Sequence, residues 1–462
     1  MFKQKFIGDK KFYKMVMAVA LPIALQNFIT NFVNMLDNLM VGRLGTEQMS
    51  GVAIVNQLIF VFNLAIFGAI SGAGIYTSQF YGKKDNEGIR NTLRLKIAIC
   101  VIIAVIGIAI FAFGGGFLID NFLHEGSEKV DLELTRQFAV SYLNIILIGL
   151  VPFALSQAIS GTLRETGETF VPMVAGFMAV AVNCIFNFLL IFGKFGFPQL
   201  GVNGAAIATV LSRYVELIIL VVYALVKRDR FAYFKGLFKT FRMPTSLLIG
   251  VSKTGIPLML NEFFWSAGMT LLSNSYSLHG LDVVAAYSIS STVINLLNTF
   301  FLSLGVATGI IIGNLLGGDK FDEAWDYTRK LVVFSIFISL IVMLLLMGIS
   351  GIFPKFYNTN PESKAIATYF IRTAAIFMPF VSIANSSYFI IRSGGKVIVT
   401  ILFDSVYIFA LVVPVAFAMF YVFHASIYVA YFVVVSLDIV KSALGIWLIR
   451  RKKWLNNIVD KI

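Results

Sequence analysis

Charged residues are scarce in this sequence, and their scarcity excludes an ordinary soluble protein. Asp, Glu, Lys and Arg make up 13% of its 462 residues, about half of the roughly 25% found in average soluble chains. Hydrophobic residues make up 58%. Apolar runs recur from Met15 to Arg450 without a gap large enough for a soluble domain. The composition therefore predicts an all-α integral membrane protein.

Metal-binding side chains are also few. The two cysteines, Cys100 and Cys184, fall inside apolar runs and provide neither a disulfide framework nor a metal cluster. The three histidines, His124, His279 and His424, lie in or beside predicted loops without a partner at ligand spacing. We predict no metal centre built from cysteine or histidine.

Motifs for phosphate binding and hydrolysis are absent from the sequence as well. No GxxxxGK[ST] occurs, and residues 393–396 (SGGK) lack its first glycine and its final Ser or Thr. Neither GxSxG nor HExxH is present intact. These absences argue against ATP-driven transport by this chain alone and against the commonest membrane hydrolases, while a paired-carboxylate membrane protease stays open. We predict a protein that is not an enzyme and that needs no cofactor.

Windows of about 20 apolar residues predict twelve transmembrane helices. An even number places both termini on one side of the membrane. The predicted spans are 15–41, 52–80, 93–114, 137–160, 169–193, 201–226, 247–277, 283–316, 330–350, 365–391, 397–421 and 425–450.

The net charge of +13 carries information about orientation. If both termini are cytoplasmic, 28 of the 37 Lys and Arg lie on the cytoplasmic face, and the mainly acidic segment 120–136 lies outside. This bias follows the positive-inside rule. We therefore predict a multi-pass protein of the cell membrane with cytoplasmic termini, in contact with lipid and not with nucleic acid. We expect a monomer.

The sequence also repeats itself. One shift of the numbering superposes Pro22 on Pro257 and Gly45 on Gly280, and a slightly smaller shift superposes Pro152 on Pro379. These shifts predict two pseudo-symmetric six-helix lobes: an N-lobe over 1–235, ending in a basic cytoplasmic linker at 227–246, and a C-lobe over 236–462. Parallel repeats of this kind bind substrate between them near the membrane midplane. Pro22 and Pro257 are predicted to kink their helices.

Eight ionisable side chains fall inside the spans, and each is costly enough there to suggest a function. In two pairs, Arg213 with Glu216 and Asp438 with Lys441, the opposite charges lie three residues apart on one helix and can neutralise one another. Arg372 is the other cation. The remaining acids are Asp37, Glu262 and Asp404.

Asp37 is the strongest of these candidates. It lies in an amide-rich helix with Gln26, Asn27, Asn31 and Asn34, without a cation three or four residues away. Desolvation favours the protonated form of such a carboxylate, so that it could exchange protons near neutral pH. The same oxygens could instead coordinate Na⁺, and a partly hydrated residue near the helix end is the structural alternative.

Glu262 and Asp404 are the candidates in the C-lobe. Glu262 follows Asn261 and precedes Trp265, so it could bind a proton or a cationic substrate beside aromatic rings. It could also be a structural acid paired with a Lys or Arg from another span. For Asp404, early in its span, a functional role and a position near the headgroups are equally open. Asn183 and Asn187 share one face of span five, where amides knit helices together or complete an ion site.

In several motifs the sequence resembles the multidrug and toxic compound extrusion (MATE) transporters. The residues that carry the resemblance are DNLMVGRLG at 37–45, QFYG at 79–82, GTLRETG at 161–167, LLIFG at 189–193 and LGVNGAAIAT at 200–209. The order and spacing of these motifs, together with the two-lobed repeat, extend the resemblance over the whole chain.

The resemblance implies efflux of organic cations and amphipathic drugs in exchange for H⁺ or Na⁺, by rocking of two lobes. Asp37 matches the family's first-helix coupling acid, and Asn183 and Thr209 match other members of its cation site. Asn187 stands where several relatives carry Asp, which favours H⁺ over Na⁺, a hard ion that prefers carboxylates. In one branch the seventh-helix acid falls where this chain has Trp265, so Glu262 does not simply inherit the role of that acid, although other bacterial members resemble the arrangement LNE at 260–262.

Two other functions stay open from the sequence. One is a lipid-linked oligosaccharide flippase, which would need a cationic cavity for phosphates. The other is an uncoupled channel or receptor. The sequence predicts a proton-coupled antiporter ahead of both.

Overall fold

The computed structural model describes residues 6–123, 131–240, 242–357 and 359–462 of the chain. Twelve long helices account for most of these residues, and no strand occurs among them. The helices are α1 (Lys10–Gly42), α2 (Thr46–Lys83), α3 (Asn86–Asp120), α4 (Leu132–Glu165), α5 (Phe170–Phe192), α6 (Val202–Val226), α7 (Thr245–Ser277), α8 (Leu281–Gly317), α9 (Phe321–Ile349), α10 (Pro361–Ser393), α11 (Val397–Tyr421) and α12 (Ile427–Arg450). His124 and residues 124–130 of the acidic segment predicted outside lie beyond the described residues.

Polar side chains fix where several helices begin. Asp85 caps α3 by accepting hydrogen bonds from the backbone of Glu87 and Gly88 at 3.0 and 2.9 Å. Asn360 caps α10 in the same way, and Pro361 follows it at the first helical position, where its missing N–H is not needed. Short polar turns therefore separate helices that are far more apolar.

Eleven of these helices are long and apolar enough to cross a membrane. The exception is α7, in which polar side chains such as Asn261 and Glu262 interrupt the apolar sequence. The outer face of α3 indicates an apolar environment around the helices, because the apolar side chains of Ile102, Val105 and Ile106 are more than half exposed. An all-apolar exposed stripe belongs in lipid. The predicted all-α membrane fold is confirmed.

The internal repeat reappears in the helix boundaries. The shift that superposes Pro22 on Pro257 also carries both ends of α1 onto those of α7, and the first residue of α3 onto that of α9. The smaller shift, which superposes Pro152 on Pro379, carries the first residue of α5 onto that of α11. The two shifts found in the sequence thus correspond to two successive sets of six helices in the same order.

The chain forms two compact units. The N-terminal unit comprises residues 25–77 and 85–259, and the C-terminal unit comprises 1–24, 78–84 and 260–462. Helices α1 and α7 each pass from one unit to the other shortly after a proline, Pro22 or Pro257. Proline removes a backbone hydrogen bond and so weakens a helix at that point. The lobe boundary at residue 235 and the kinks at these prolines stay predictions.

Each unit has its own apolar core. In the N-terminal unit, Val55, Ile66 and Leu143 are buried with residues of α3 and α6. In the C-terminal unit, the first half of α1 contributes Val16 and Ile23 to a cluster with α8, α9 and α10. The split of α1 therefore reflects which core each half packs against.

The basic segment between α6 and α7 is ordered against the N-terminal unit. Arg94 donates hydrogen bonds to the carbonyls of Leu237 at 2.6 Å and Gly236 at 2.8 Å. Arg90 binds the carbonyls of Ala232 and Tyr233. Two of the cations counted as orientation signals therefore also hold this segment in place.

Close helix packing depends on small residues in both units. In the N-terminal unit, a Cβ placed on Gly72 of α2 would clash with the Cα of Gly255 in α7, and one on Gly68 would lie 2.5 Å from the Cα of Met259. In the C-terminal unit, a Cβ on Gly305 of α8 would clash with the ring of Phe389. These glycines therefore allow neighbouring helices to approach closely.

We expect Gly72→Ala to destabilise the protein by about 1–3 kcal/mol, because the added methyl would meet backbone atoms that cannot rotate away. The matched control is Gly348→Ala in α9, where an added Cβ meets nothing within 4 Å. Thermal unfolding in detergent micelles measures both variants. If Gly72→Ala unfolds at the same temperature as Gly348→Ala, the two helices are not in tight contact at this position.

Candidate functional site

A chain of hydrogen bonds joins the four residues predicted to form the N-lobe site. The amide nitrogen of Asn187 donates to Asp37 Oδ1 at 2.5 Å and to Asn183 Oδ1 at 3.3 Å. The amide nitrogen of Asn183 donates in turn to Thr209 Oγ1 at 3.2 Å. Asp37 comes from α1, the two amides from α5 and the threonine from α6. The structure therefore brings all four residues together within the N-terminal unit.

The spacing of the amides explains why they meet Asp37. Residues four apart on a helix lie one above the other, so Asn183 and Asn187 present a ladder of polar groups along one face of α5. Both side chains are buried, at 5% and 1% exposure. In an apolar environment an amide must find hydrogen-bond partners, and here the partners lie on α1 and α6.

Two further residues complete this site, and the sequence did not reveal their roles. Tyr142 of α4 is buried and shares a hydrogen bond with Thr209. Arg213, one turn after Thr209, lies close enough to Asp37 for their charges to attract. Arg213 also lies 3.7 Å from Glu216, which confirms the predicted pair. Only its spacing from Thr209 could have suggested that Arg213 also faces the site.

A second polar cluster lies in the C-terminal unit around Glu262. The hydroxyl of Tyr388 donates to Glu262 Oε1 at 3.1 Å and accepts from Arg392 Nη1 at 3.2 Å. Arg392 Nη1 also lies 3.8 Å from Glu262 Oε1. Arg392, four residues after Tyr388 on α10, is therefore the cationic partner of Glu262. The sequence alone did not identify this partner.

Asn261 links this group to Asp404. Its amide nitrogen lies 3.4 Å from the Tyr388 hydroxyl and 3.2 Å from Asp404 Oδ2. Its carbonyl and side-chain oxygens accept from Ser405 Oγ at 2.8 and 2.7 Å. Asn261 is 1% exposed, so the residue that links the two acids is itself buried.

Asp404 has a cationic partner on a neighbouring helix. Lys441, which the spacing on α12 places within reach of Asp438, attracts that carboxylate and also lies with its Nζ 2.7 Å from Asp404 Oδ1 on α11. The lysine side chain is long enough to reach a neighbouring helix, where a buried carboxylate needs a counter-charge. Asp404 is 14% exposed and ion-paired, which answers the question of its environment that the sequence left open.

The backbone around Asp404 departs from a regular α-helix. Residues Leu402–Val406 and Ile408–Val412 are π-helical. Such wider turns insert an extra residue and turn neighbouring side chains to new directions, and they are frequent at functional sites. In α11 they place Asp404 and Ser405 on the side that meets Asn261.

Trp265 differs from the other predicted C-lobe residues. It lies one turn after Asn261 on α7 but is 37% exposed. Its neighbour Phe264 packs against Phe409 of α11 at a ring-centroid distance of 6.2 Å. The structure thus brings Glu262, Asn261 and Asp404 together and leaves Trp265 at the edge of this region.

Metal-ligating groups do not cluster in the described parts of the chain: no set of three or more His, Cys, Asp or Glu side chains there could hold a metal ion. The N-lobe site offers one carboxylate with amide and hydroxyl oxygens. Its chemistry is therefore that of one carboxylate surrounded by amide and hydroxyl groups.

The chain matches the family model described as MatE over residues 22–189 and again over 257–420. The two matched segments begin at Pro22 and Pro257, the pair of prolines that the internal repeat superposes. This chain belongs to the MatE family.

Curated relatives are described as multidrug resistance proteins. The chain is 25% identical over 443 residues to "Probable multidrug resistance protein NorM" of Thermotoga maritima, covering 96% of this chain and 93% of that protein. It is 28% identical over 346 residues to the protein of the same description in Bacillus cereus, covering 74% of each.

Solved structures of transporters of the MOP superfamily share the fold. A structure described as "Outward-facing conformation of a multidrug resistance MATE family transporter of the MOP superfamily" aligns with a TM-score of 0.83 over 98% of each chain, at 18% identity. A second, of a MOP superfamily transporter from Pyrococcus furiosus, aligns with a TM-score of 0.84 over 98% of each chain, also at 18% identity. The expected family resemblance is confirmed.

Proposed function

We propose that this protein is a secondary active antiporter that exports organic cations and amphipathic drugs across the cell membrane in exchange for protons. Membership of the MatE family and the multidrug resistance relatives support the substrate class. We further propose cytoplasmic termini, supported by the excess of Lys and Arg on that face, and alternating access by rocking of the two halves.

The observation that carries the proton-coupling proposal is the bond between Asp37 and Asn187. The ionised carboxylate accepts a hydrogen bond from the Asn187 amide at 2.5 Å and is attracted by Arg213. Protonation would turn the carboxyl group into a donor and remove its charge. The bond to Asn187 on α5 and the attraction to Arg213 on α6 would then weaken. A single proton could thus change the packing of the helix that carries it.

The same charge explains exchange with a cationic substrate. A proton and an organic cation both neutralise Asp37, so binding of one disfavours binding of the other. Protonation from the outside would release the drug, and deprotonation toward the cytoplasm would restore affinity for the next one. This competition is sufficient for antiport if access to Asp37 alternates between the two sides.

The hydrogen bonds also favour H⁺ over Na⁺ as the coupling ion. The oxygens of Asp37, Asn183 and Thr209 suit Na⁺ in kind. Each of them, however, accepts an amide N–H from Asn183 or Asn187. Sodium would have to coordinate several oxygens that already accept an N–H, whereas a proton needs only one oxygen of the carboxylate.

The C-terminal cluster has a different charge balance. Glu262 lies beside Arg392, and Asp404 is paired with Lys441, so that the four groups together are neutral. We propose that this cluster is a secondary site for substrate or protons, and that coupling depends chiefly on Asp37. The pairing also disfavours an oligosaccharide flippase, because these cations already have acidic partners and are not available for phosphates.

The proposal predicts the driving force of transport in proteoliposomes. Ethidium should move uphill when a pH gradient is imposed, since protons supply the energy. When a Na⁺ gradient of equal size is imposed instead, the rate of ethidium movement should be no higher than in protein-free liposomes. Ethidium fluorescence measures both.

Two other outcomes would each contradict one part of the proposal. Uphill movement driven by the Na⁺ gradient alone would show that Na⁺ is the coupling ion. Movement that only follows the ethidium gradient, whatever the ions, would identify a channel.

A further inference from the structure

Gln79 of α2 belongs to a sequence motif, QFYG, for which the proposed transport mechanism gives no role. Its side chain is fully buried. The amide nitrogen donates to the carbonyls of Ser393 at 3.0 Å and Asn456 at 3.1 Å, and the amide oxygen accepts from the backbone of Ile458 at 2.8 Å. These hydrogen bonds connect the end of one helix to parts of the chain that are far away in sequence.

Two of these partners belong to the segment that follows α12, residues 451–461, which we call the C-terminal strap. Trp454 anchors the strap, since it is 2% exposed and its indole N–H donates to the carbonyl of Ile449. Asn457 donates to Asp319 Oδ1 at 2.8 Å, at the end of α8. Asp460 pairs with Lys83, the last residue of α2, at 2.6 Å. The strap therefore holds the ends of α2, α8 and α10 together.

The contact between the strap and α10 requires glycine. A Cβ on Gly394 would clash with the carbonyl oxygen of Trp454, and one on Gly395 would lie 2.9 Å from Ile458 Cγ2. Gly395 also has a φ of +72°, in the left-handed region that favours glycine. The backbone at Gly394 and Gly395 thus leaves just enough room for Trp454 and Ile458 of the strap.

Helix α2 connects the strap to the rest of the protein. Residues 46–77 of α2 belong to the N-terminal unit, whereas residues 78–84 belong to the C-terminal unit together with the strap. A movement of the N-terminal unit that carries α2 with it must either bend α2 near Thr77 or pull Gln79 and Lys83 away from the strap. The described structure shows α2 as one continuous helix across this point.

We propose that the C-terminal strap is a latch that holds Gln79 and the end of α2 in the C-terminal unit, and that it must move away from Gln79 in every transport cycle. This inference rests on the proposed alternating-access transport. A movement that carries this end of α2 out of the C-terminal unit then requires loss of the Gln79 hydrogen bonds and of the ion pair between Lys83 and Asp460. Gln79 is a positioning residue in this scheme and does not contact substrate.

A reversible cross-link tests the latch. The Cβ position of Gly395 lies 4.0 Å from Ile458 Cβ, within the range of about 3.5–4.5 Å that a disulfide spans. Gly395→Cys and Ile458→Cys are combined in a background where Cys100 and Cys184 are replaced by Ala. We expect the oxidised protein in proteoliposomes to move ethidium no faster than protein-free liposomes, and dithiothreitol to restore uptake in the same sample.

The single variant Ile458→Cys in the same background is the control, and oxidation should leave its transport unchanged. If the cross-linked protein transports at the rate of its reduced form, the latch proposal is wrong while the antiporter proposal stands. If the reduced protein and the native protein both fail to transport under either ion gradient, the antiporter proposal is wrong.

A second experiment tests the latch without measuring transport, and it leaves Gly395 unchanged. Ser393→Cys places a thiol at a buried position next to Gln79, where Ser393 is 3% exposed. Labelling by a water-soluble maleimide in detergent micelles reports opening of the strap. Adding Gln79→Leu removes the three hydrogen bonds, and we expect labelling to accelerate by about tenfold or more.

The matched control for this measurement is Gln137→Leu, because the Gln137 amide is exposed and bonds Glu133 one turn away on α4, at 3.4 Å. Its labelling rate should equal that of Ser393→Cys alone. Equal rates for Gln79→Leu and Gln137→Leu would overturn the proposal, since the strap would then stay closed without Gln79.

Discussion

Replacement of Asp37 by Asn is expected to lower proton-driven ethidium transport by roughly 10- to 100-fold, the effect of losing a coupling free energy of about 1–3 kcal/mol. Asparagine keeps the size of the side chain and can still bond Asn187, but it can neither bind nor release a proton. Uptake into proteoliposomes under an imposed pH gradient measures the change.

Asp322→Asn is the matched control for Asp37→Asn. Asp322 is an exposed carboxylate in the first turn of α9, and it belongs to the C-terminal unit, whereas the hydrogen-bonded chain around Asn187 belongs to the N-terminal unit. We expect this variant to transport at the native rate. Native transport by Asp37→Asn would show that another group carries the proton, and attention would then turn to Glu262 and Asp404.

The second large effect is expected at a buried ion pair between α3 and α4. Lys96 is 1% exposed and binds Glu165, and its Nζ also donates to Thr162 Oγ1 at 3.2 Å. Lys96→Met would remove the cation that is hydrogen-bonded to the Glu165 carboxylate and leave only the weaker attraction of Arg164. Loss of one partner of such a pair destabilises a protein by about 3–5 kcal/mol. Denaturant unfolding in detergent micelles measures the loss.

Two comparisons separate this effect from a general loss of charge. The double variant Lys96→Met with Glu165→Gln removes both charges and should recover much of the stability. Lys320→Met breaks a pair with Glu323 in which both side chains are more than half exposed, and should change the stability by at most about 1 kcal/mol. A double variant as unstable as Lys96→Met alone would show that packing, and not charge pairing, determines the loss.

The sequence was sufficient for the prediction of the helices and of the repeat. Hydrophobic length is a local property, because a bilayer sets the number of apolar residues that a spanning helix needs. The offset between Pro22 and Pro257 is likewise read along the chain, and the helices of the structure follow it. The amide ladder of Asn183 and Asn187 was also predictable, since helical periodicity alone puts both residues on one face.

Contacts across helices are predictable only where both partners are already suspected. The family resemblance assigns Asp37 and Asn187 to one site, and the structure places Asp37 Oδ1 2.5 Å from the Asn187 amide nitrogen. Nothing in the sequence assigns Tyr388 and Arg392 to the C-lobe site, although their spacing of four residues puts them on one face of α10. Neither residue is unusual in the sequence, and only the position of Glu262 on α7 makes them part of a polar cluster.

The sequence by itself thus determined the class of protein, the number of helices, their pairing by repeat and the single acid on which the proposed coupling depends. Tertiary structure alone decided that Lys441, besides attracting Asp438, binds Asp404 on the neighbouring helix, and that Gln79 is held by a strap from the far end of the chain. The physical reason is that spacing along one helix fixes only which residues share a face. The rotation and packing of neighbouring helices decide what each face meets.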